Sequence, residues 1–274
     1  MNKIICLTVL LLSPTIFAGP RYAYSCDGNI HDRDDICALP VSLAMLSASG
    51  NAPNLVHLDY NDHFWQTVSA QEADETVSAT VNTAKSWAGF DSSVFFNART
   101  DVNAAVAHLA QAINDSTAAN PLTIIAAGPM QTIGMALAAS KQSARQFVVV
   151  ISHSEWNDVH SKSFGPGEGL TGTLYDWPDL GVLGATLIHI KDQNANINGD
   201  YATYSWLDDA TQPKLKWLWD RGQVAAKSKF DCSDAGMTYY ALTGDDNATP
   251  DKVKTMLEAS PPNAPSDLKI LPGP

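Results

Sequence analysis

The chain has 274 residues and a mass of 29.4 kDa, enough for one large domain or two small ones, which excludes a disulfide-stapled mini-protein. Hydrophobic residues make up 45% and charged residues 17%, the balance of a packed globular chain, so a disordered, collagen-like or coiled-coil protein is excluded too. Acidic side chains number 29 against 17 basic ones, and the formal net charge of -12 repels phosphate backbones and anionic membrane surfaces, which argues against nucleic-acid binding.

Residues 1–18 have the form of a secretory signal. Lys3 is the positive start, Ile4 to Leu12 the apolar stretch, and Ile16-Phe17-Ala18 a cleavage site before Gly19. Ser13 and Pro14 end the apolar run well short of the roughly 18 residues that a spanning anchor needs. The expectation is a secreted or periplasmic protein with no membrane attachment after cleavage. Cys6 leaves with the signal, and Cys26, Cys37 and Cys232 remain in a compartment that permits disulfides. At most one pair can form. Cys37 lies in the apolar run Ile36 to Leu46 and reads as a core residue, whereas Cys26 and Cys232 each sit beside acidic clusters, so a Cys26–Cys232 bridge with one thiol left over stands as one option.

From Arg21 onward, apolar strand-like runs alternate with helix-like segments, the βαβα pattern of a parallel sheet. Strands are predicted at Arg21–Ser25, Leu55–Leu58, Val94–Asn97, Leu122–Ala127, Phe147–Ser152 and Thr186–Ile190. Helices are predicted at Ile36–Ser49, Glu72–Trp87, Asp101–Asn114, Met130–Lys141, Lys214–Arg221, Asp234–Leu242 and Pro250–Glu258. The runs at 122–127 and 147–152 are apolar throughout, as strands covered on both faces are. In the third helix Val102, Ala105, Val106, Leu109 and Ile113 fall on one face, with Thr100 or Asp101 placed to cap it. The fold class is therefore α/β, an open and mostly parallel Rossmann-like sheet with helices on both faces. One domain, 19–260, is expected, followed by a Pro-rich extended tail, 261–274.

Chemistry concentrates where the first strand meets the first helix, in Asp27-Gly28-Asn29-Ile30-His31-Asp32-Arg33-Asp34-Asp35. Four carboxylates in nine residues repel one another unless a cation neutralises them, and crowded aspartate oxygens suit Ca²⁺. The alternative is a solvated acidic loop with Asp34 and Asp35 favourably placed at a helix start.

The run Asp34-Asp35-Ile36-Cys37-Ala38 resembles the aspartate-rich first loop of the nucleoside hydrolase superfamily. Residues 122–137, LTIIAAGPMQTIGMAL, are similar to that family's strand, Gly-Pro turn and helix, and Asp231-Cys232-Ser233-Asp234-Ala235 to the segment opening its last site helix. The resemblance implies cleavage of N-glycosidic bonds by a water held on a calcium ion. It implies that Asp34 or Asp35, the Ala127 carbonyl and Asp234 hold the ion, with Asp231 in reserve. The family has aspartates six and four residues before the pair, the later one being the general base. Here those places hold Gly28 and Ile30, and acidic groups occur at Asp27 and Asp32 instead, which are the base candidates of a divergent, secreted branch.

The segment His153-Ser154-Glu155-Trp156-Asn157-Asp158-Val159-His160 follows a strand and therefore lies at the sheet's carboxyl edge, where ligands bind. Trp156 would stack on a sugar while Asn157, His160 and Asn29 bond its hydroxyls, or the same residues would serve an ordinary loop. His31, His153 or His160 would protonate the leaving group, His153 being preferred, with His63 a weaker candidate. Gly165 to Gly169 lacks the lysine of a phosphate loop and reads as a flap. A serine or cysteine nucleophile is disfavoured, since no GxSxG occurs. The expectation is a calcium-dependent glycoside hydrolase acting on a small sugar, nucleoside or oligosaccharide, with monomer and homo-oligomer both open. The alternative is a non-catalytic carbohydrate-binding protein on the same fold.

Overall fold

The computed structural model describes residues 19–28, 33–62, 64, 70–87, 89–165, 167, 170–224 and 229–259. The expected signal and tail, and with them Asn29, His31, Asp32, His63 and most of the expected flap, lie outside these residues. In chain order the elements are β1 (Arg21–Cys26), α1 (Arg33–Ala48), β2 (Leu55–Tyr60), α2 (Ala70–Ser86), β3 (Phe95–Asn97), α3 (Val102–Asn114), β4 (Leu122–Ala127), α4 (Gln131–Ala139), the single turn α5 (Gln142–Arg145), and β5 (Val148–Ser152). They continue with α6 (Glu155–Phe164), α7 (Trp177–Leu183), β6 (Thr186–His189), the single turn α8 (Asn194–Ile197), β7 (Asn198–Asp200), α9 (Tyr201–Asp208), α10 (Pro213–Gly222), β8 (Lys229–Asp231), α11 (Ala235–Thr243) and α12 (Pro250–Glu258).

The first six strands form one parallel sheet in the order β3-β2-β1-β4-β5-β6. That is the doubly wound order, in which the chain runs outward from β1 one way, then returns to start again at β4. Both faces are covered. Leu122, Ile124 and Ala126 of β4 join Val106, Leu109 and Ile113 of α3 and Ile133 and Leu137 of α4 in one apolar layer. Ile125 and Ala127 point the other way, onto Leu39, Leu43 and Leu46 of α1 and Met237 of α11. Each such aliphatic side chain contributes about 1.5–3 kcal/mol by leaving water. The period-2 alternation of an apolar strand thus feeds two cores at once. A further apolar cluster binds α1 to the carboxyl-terminal helices through Ala38, Val41, Leu218, Ala235 and Leu257.

Helix α3 starts as expected, with the Asp101 carboxylate accepting from the Ala104 N–H at 2.9 Å. Helix α1 begins three residues earlier than predicted, at Arg33, so Pro40 stands inside it and Asp34 and Asp35 occupy its first turn, where the helix dipole favours negative charge. The segment after β5 is a helix rather than a loop. Ser154 caps α6 by accepting from the Asn157 N–H at 3.3 Å, a start signal hidden among polar residues. The antiparallel pair β7–β8 was not expected, because three-residue strands such as Asn198-Gly199-Asp200 carry no readable period.

Candidate metal centre

In a doubly wound sheet the crevice for ligands opens outside the carboxyl ends of the two strands at which the winding reverses, here β1 and β4. Cys26 is in register with Ala127, so the residues that follow both strands emerge side by side. The Asp27 N–H reaches the Ala127 carbonyl at 3.4 Å. Gly128 makes this approach achievable. A Cβ there would lie 2.6 Å from the Asp27 nitrogen and 2.8 Å from Asp62 Oδ1, so any larger residue would push the two strand ends apart.

Asp27 meets two further carboxylates at this point, Asp35 from the first turn of α1 and Asp234 at the start of α11. Each offers an oxygen within 4.8 Å of the others, and all three side chains are buried. Three carboxylates drawn from segments about 200 positions apart and placed in a low-dielectric pocket repel one another strongly, and an all-oxygen donor set of this kind fits a hard divalent cation. The neighbours of the pair face elsewhere. Ser233 Oγ lies 3.2 Å from Asp34 Oδ2 and 2.7 Å from Asp231 Oδ1, and Asp231 also accepts from Asn198 Nδ2 at 2.7 Å. Adjacent helical positions are turned about 100° apart, so only one of Asp34 and Asp35 can face the cluster.

His153, directly after β5, braces Asp234. Its Nε2 stands 2.7 Å from Asp234 Oδ1, and the Gln193 N–H points at its Nδ1 at 3.4 Å, which in the neutral ring favours the tautomer with the proton on Nε2. Burial disfavours the charged imidazole, but the hydrogen bond and charge of Asp234, with Asp192 and Asp158 behind it, outweigh burial and raise the His153 pKa. Trp156, His160 and Phe164 repeat every fourth residue along α6. Their rings are in contact, Trp156 tilted by 39° against His160 with centroids 3.8 Å apart and His160 stacked on Phe164 at 4.3 Å. Trp156 and Phe164 are exposed, whereas Asn157 and His160 are buried.

A second group of polar residues lies under the sheet edge and was missed from the sequence. Ser25 Oγ sits 2.8 Å from Asp59 Oδ1 and 3.1 Å from Asp62 Oδ2; His57 Nε2 is 2.9 Å from Asp59 Oδ2, and His57 Nδ1 is 3.0 Å from His108 Nδ1. Burial pushes the Asp59 carboxyl up to about 7 against the opposing hydrogen bond from Ser25. Burial and then the Asp59 charge push Asp62 well above the usual carboxylate range. A serine hydroxyl has one proton to give, so it can satisfy both carboxyls only if one of them is itself protonated and donates back. Asp62 Oδ1 and Thr132 Oγ1 lack a partner of hydrogen-bond geometry among the described residues, although Thr132 lies near enough to favour the Asp62 carboxylate.

Similarity to known proteins bears on the fold that carries this site and on the family of the chain. The inosine-uridine preferring nucleoside hydrolase from Bacillus anthracis superposes with a TM-score of 0.50 at 9% identity, covering 88% of this chain and 100% of that one, so the chain has the nucleoside hydrolase fold that its motifs resemble. A plant nucleoside hydrolase matches at 0.49 and 11% identity, with 82% of this chain and 79% of that chain covered. No family model matches the sequence. It is, however, 32% identical over 274 residues to an uncharacterized protein of Formosa agariphila, spanning 92% of this chain and 97% of the relative, and it belongs to that protein's family.

Proposed function

We propose that the protein is a calcium-dependent hydrolase of N-glycosides or related small glycosides, working outside the cytoplasm once residues 1–18 have been removed. The observation that carries the reading is the convergence of Asp27, Asp35 and Asp234 at the switch point of a nucleoside hydrolase fold. Asp35, Asp234 and the Ala127 carbonyl would hold the ion together with Asp27. A bound Ca²⁺ supplies fixed positive charge that orients water and makes it easier to deprotonate.

Asp27 accepts the proton of the attacking water, being the carboxylate fixed by the β1–β4 register. That water adds to the anomeric carbon as the bond to the leaving group breaks, through an oxocarbenium-like transition state. His153 has both ring nitrogens engaged, by Asp234 and by the Gln193 N–H, so its part is to hold Asp234 in place. His31 then becomes the candidate acid. On α6 the exposed Trp156 ring, backed by His160, offers a flat apolar face to a sugar.

Release of free sugar from a nucleoside panel and an oligosaccharide panel, with and without chelator, tests the reading. Chelator-sensitive hydrolysis of one panel is expected. If neither is hydrolysed while calorimetry still detects sugar binding, the protein is a carbohydrate-binding module and the catalytic reading fails.

A further inference from the structure

Cys37 and Cys232 are 195 positions apart in sequence, yet their Sγ atoms stand 2.7 Å apart. Unbonded sulfur atoms do not rest so close. Both side chains are buried in the same apolar cluster, among Ala38, Val41, Phe230 and Ala235, so the contact is held by well-packed elements rather than by a loose loop. Cys26 belongs to a different cluster, with Tyr24 and Leu39 on the sheet. This overturns the Cys26–Cys232 pairing weighed from the sequence, where both residues stood out by their acidic neighbours.

We propose that Cys37 and Cys232 are joined by a disulfide bond in the exported protein, clamping the start of α1 to the turn that opens α11, with Cys26 left as the unpaired thiol. Each thiol gives up its proton and the sulfurs share one new bond. The two electrons pass to a disulfide-bearing oxidant, oxidised glutathione or the disulfide of an oxidoreductase, which is reduced to two thiols through a mixed-disulfide intermediate. Both cysteines are fully buried in the folded chain, so the bond, once made, is shielded from attacking thiolates.

The position of the clamp gives it a purpose. Cys37 follows Asp35 by two residues and Cys232 precedes Asp234 by two, so the bond ties together the backbones that carry two of the three clustered carboxylates. It also closes a loop spanning most of the chain, which removes conformational freedom chiefly from the unfolded state.

The test is a thiol count on the exported, purified chain, unfolded in denaturant. One reactive thiol, mapped to Cys26, is expected before reduction and three after it, with Cys6 adding one to each count if the leader is retained. Peptide mapping should recover the Cys37 and Cys232 peptides as one species lighter by two hydrogen atoms. Reduced protein refolded in a glutathione buffer should form the same pair, which separates the pairing from the route of export and from any question of calcium or catalysis. Reduction should lower the Tm by about 4–10 °C in wild type and in Cys26→Ala, but not in the Cys37→Ala/Cys232→Ala double variant. Three reactive thiols after either route, or a bridge to Cys26, would overturn the proposal.

Discussion

Adding Ca²⁺ to the chelator-treated protein should raise its melting temperature, and the structure sets the size of the effect. The clustered oxygens of Asp27, Asp35 and Asp234 lie within 4.8 Å of one another, so each ionised pair costs about 3.5 kcal/mol or more at an effective dielectric constant near 20. An ion that binds only the folded chain removes that cost. At free calcium near 100 times the dissociation constant it stabilises by about 2.7 kcal/mol. With an unfolding entropy of about 2.1 cal/mol/K per residue over roughly 240 residues, the Tm should rise by about 5 °C. Asp35→Asn and Asp234→Asn should respond differently in the two conditions. Removing one charge relieves repulsion and should raise the Tm of Asp35→Asn in chelator, a gain that Asp234→Asn offsets by losing its charged contact with His153, while loss of a ligand should abolish most of the calcium-induced rise in both. Glu258→Gln, at the exposed end of α12, should keep the full rise. Scanning calorimetry of the four proteins in chelator and in titrated calcium decides the matter. An equal calcium response in all four would refute the site and leave the cluster as a set of protonated or solvated acids.

The six sheet strands were legible because apolar or aromatic residues dominate each short run between helix-like segments, and β4 matches its expected bounds residue for residue. Their order was not, since it depends on contacts between distant segments, and the order is what puts Asp27 beside Ala127. Counting back from Asp34-Asp35 pointed to Gly28 and Ile30 as the places of the family's aspartates. Asp27, one of the two base candidates read from the sequence, is positioned by register rather than by spacing, because β1 fixes its carboxyl end against β4 whatever the length of the loop to α1. The group under β2 was hidden for a different reason. His57 and Asp59 share one face at period 2, and polar residues at that spacing read as solvent-facing. Only the neighbouring β1, which places Ser25 against Asp59, and the covering α3, which brings His108, show that they are enclosed. A strand destined for the interior that carries His-x-Asp on one face was the available signal.

Two further outcomes bear on these assignments. Asp27→Asn keeps the shape of the side chain and removes its capacity to take a proton, so hydrolysis should fall by about 10²–10⁴-fold with the fold retained; a variant within tenfold of wild-type kcat would take the base role from Asp27. The buried pair on β2 predicts an unusual dependence of stability on pH. Burial lowers the His57 pKa from its ordinary 6.5 to about 3, so between those values the unfolded chain binds this proton more tightly and stability from His57 rises with pH. Asp59 is raised from 3.8 to about 7, so over that range the folded chain binds the proton more tightly and stability from Asp59 falls with pH. Between about pH 4 and 6.5 the two slopes cancel, because the folded pair and the separated residues each hold one proton, whichever partner carries it across the 2.9 Å contact. Breaking the pair exposes each half. His57→Gln should lose stability relative to wild type by about 1.4 kcal/mol per pH unit as pH rises through this window, and Asp59→Asn should gain it at the same rate. Denaturant unfolding at several pH values measures the difference directly, and curves parallel to wild type for both variants would show that the two groups do not share a proton in the folded chain.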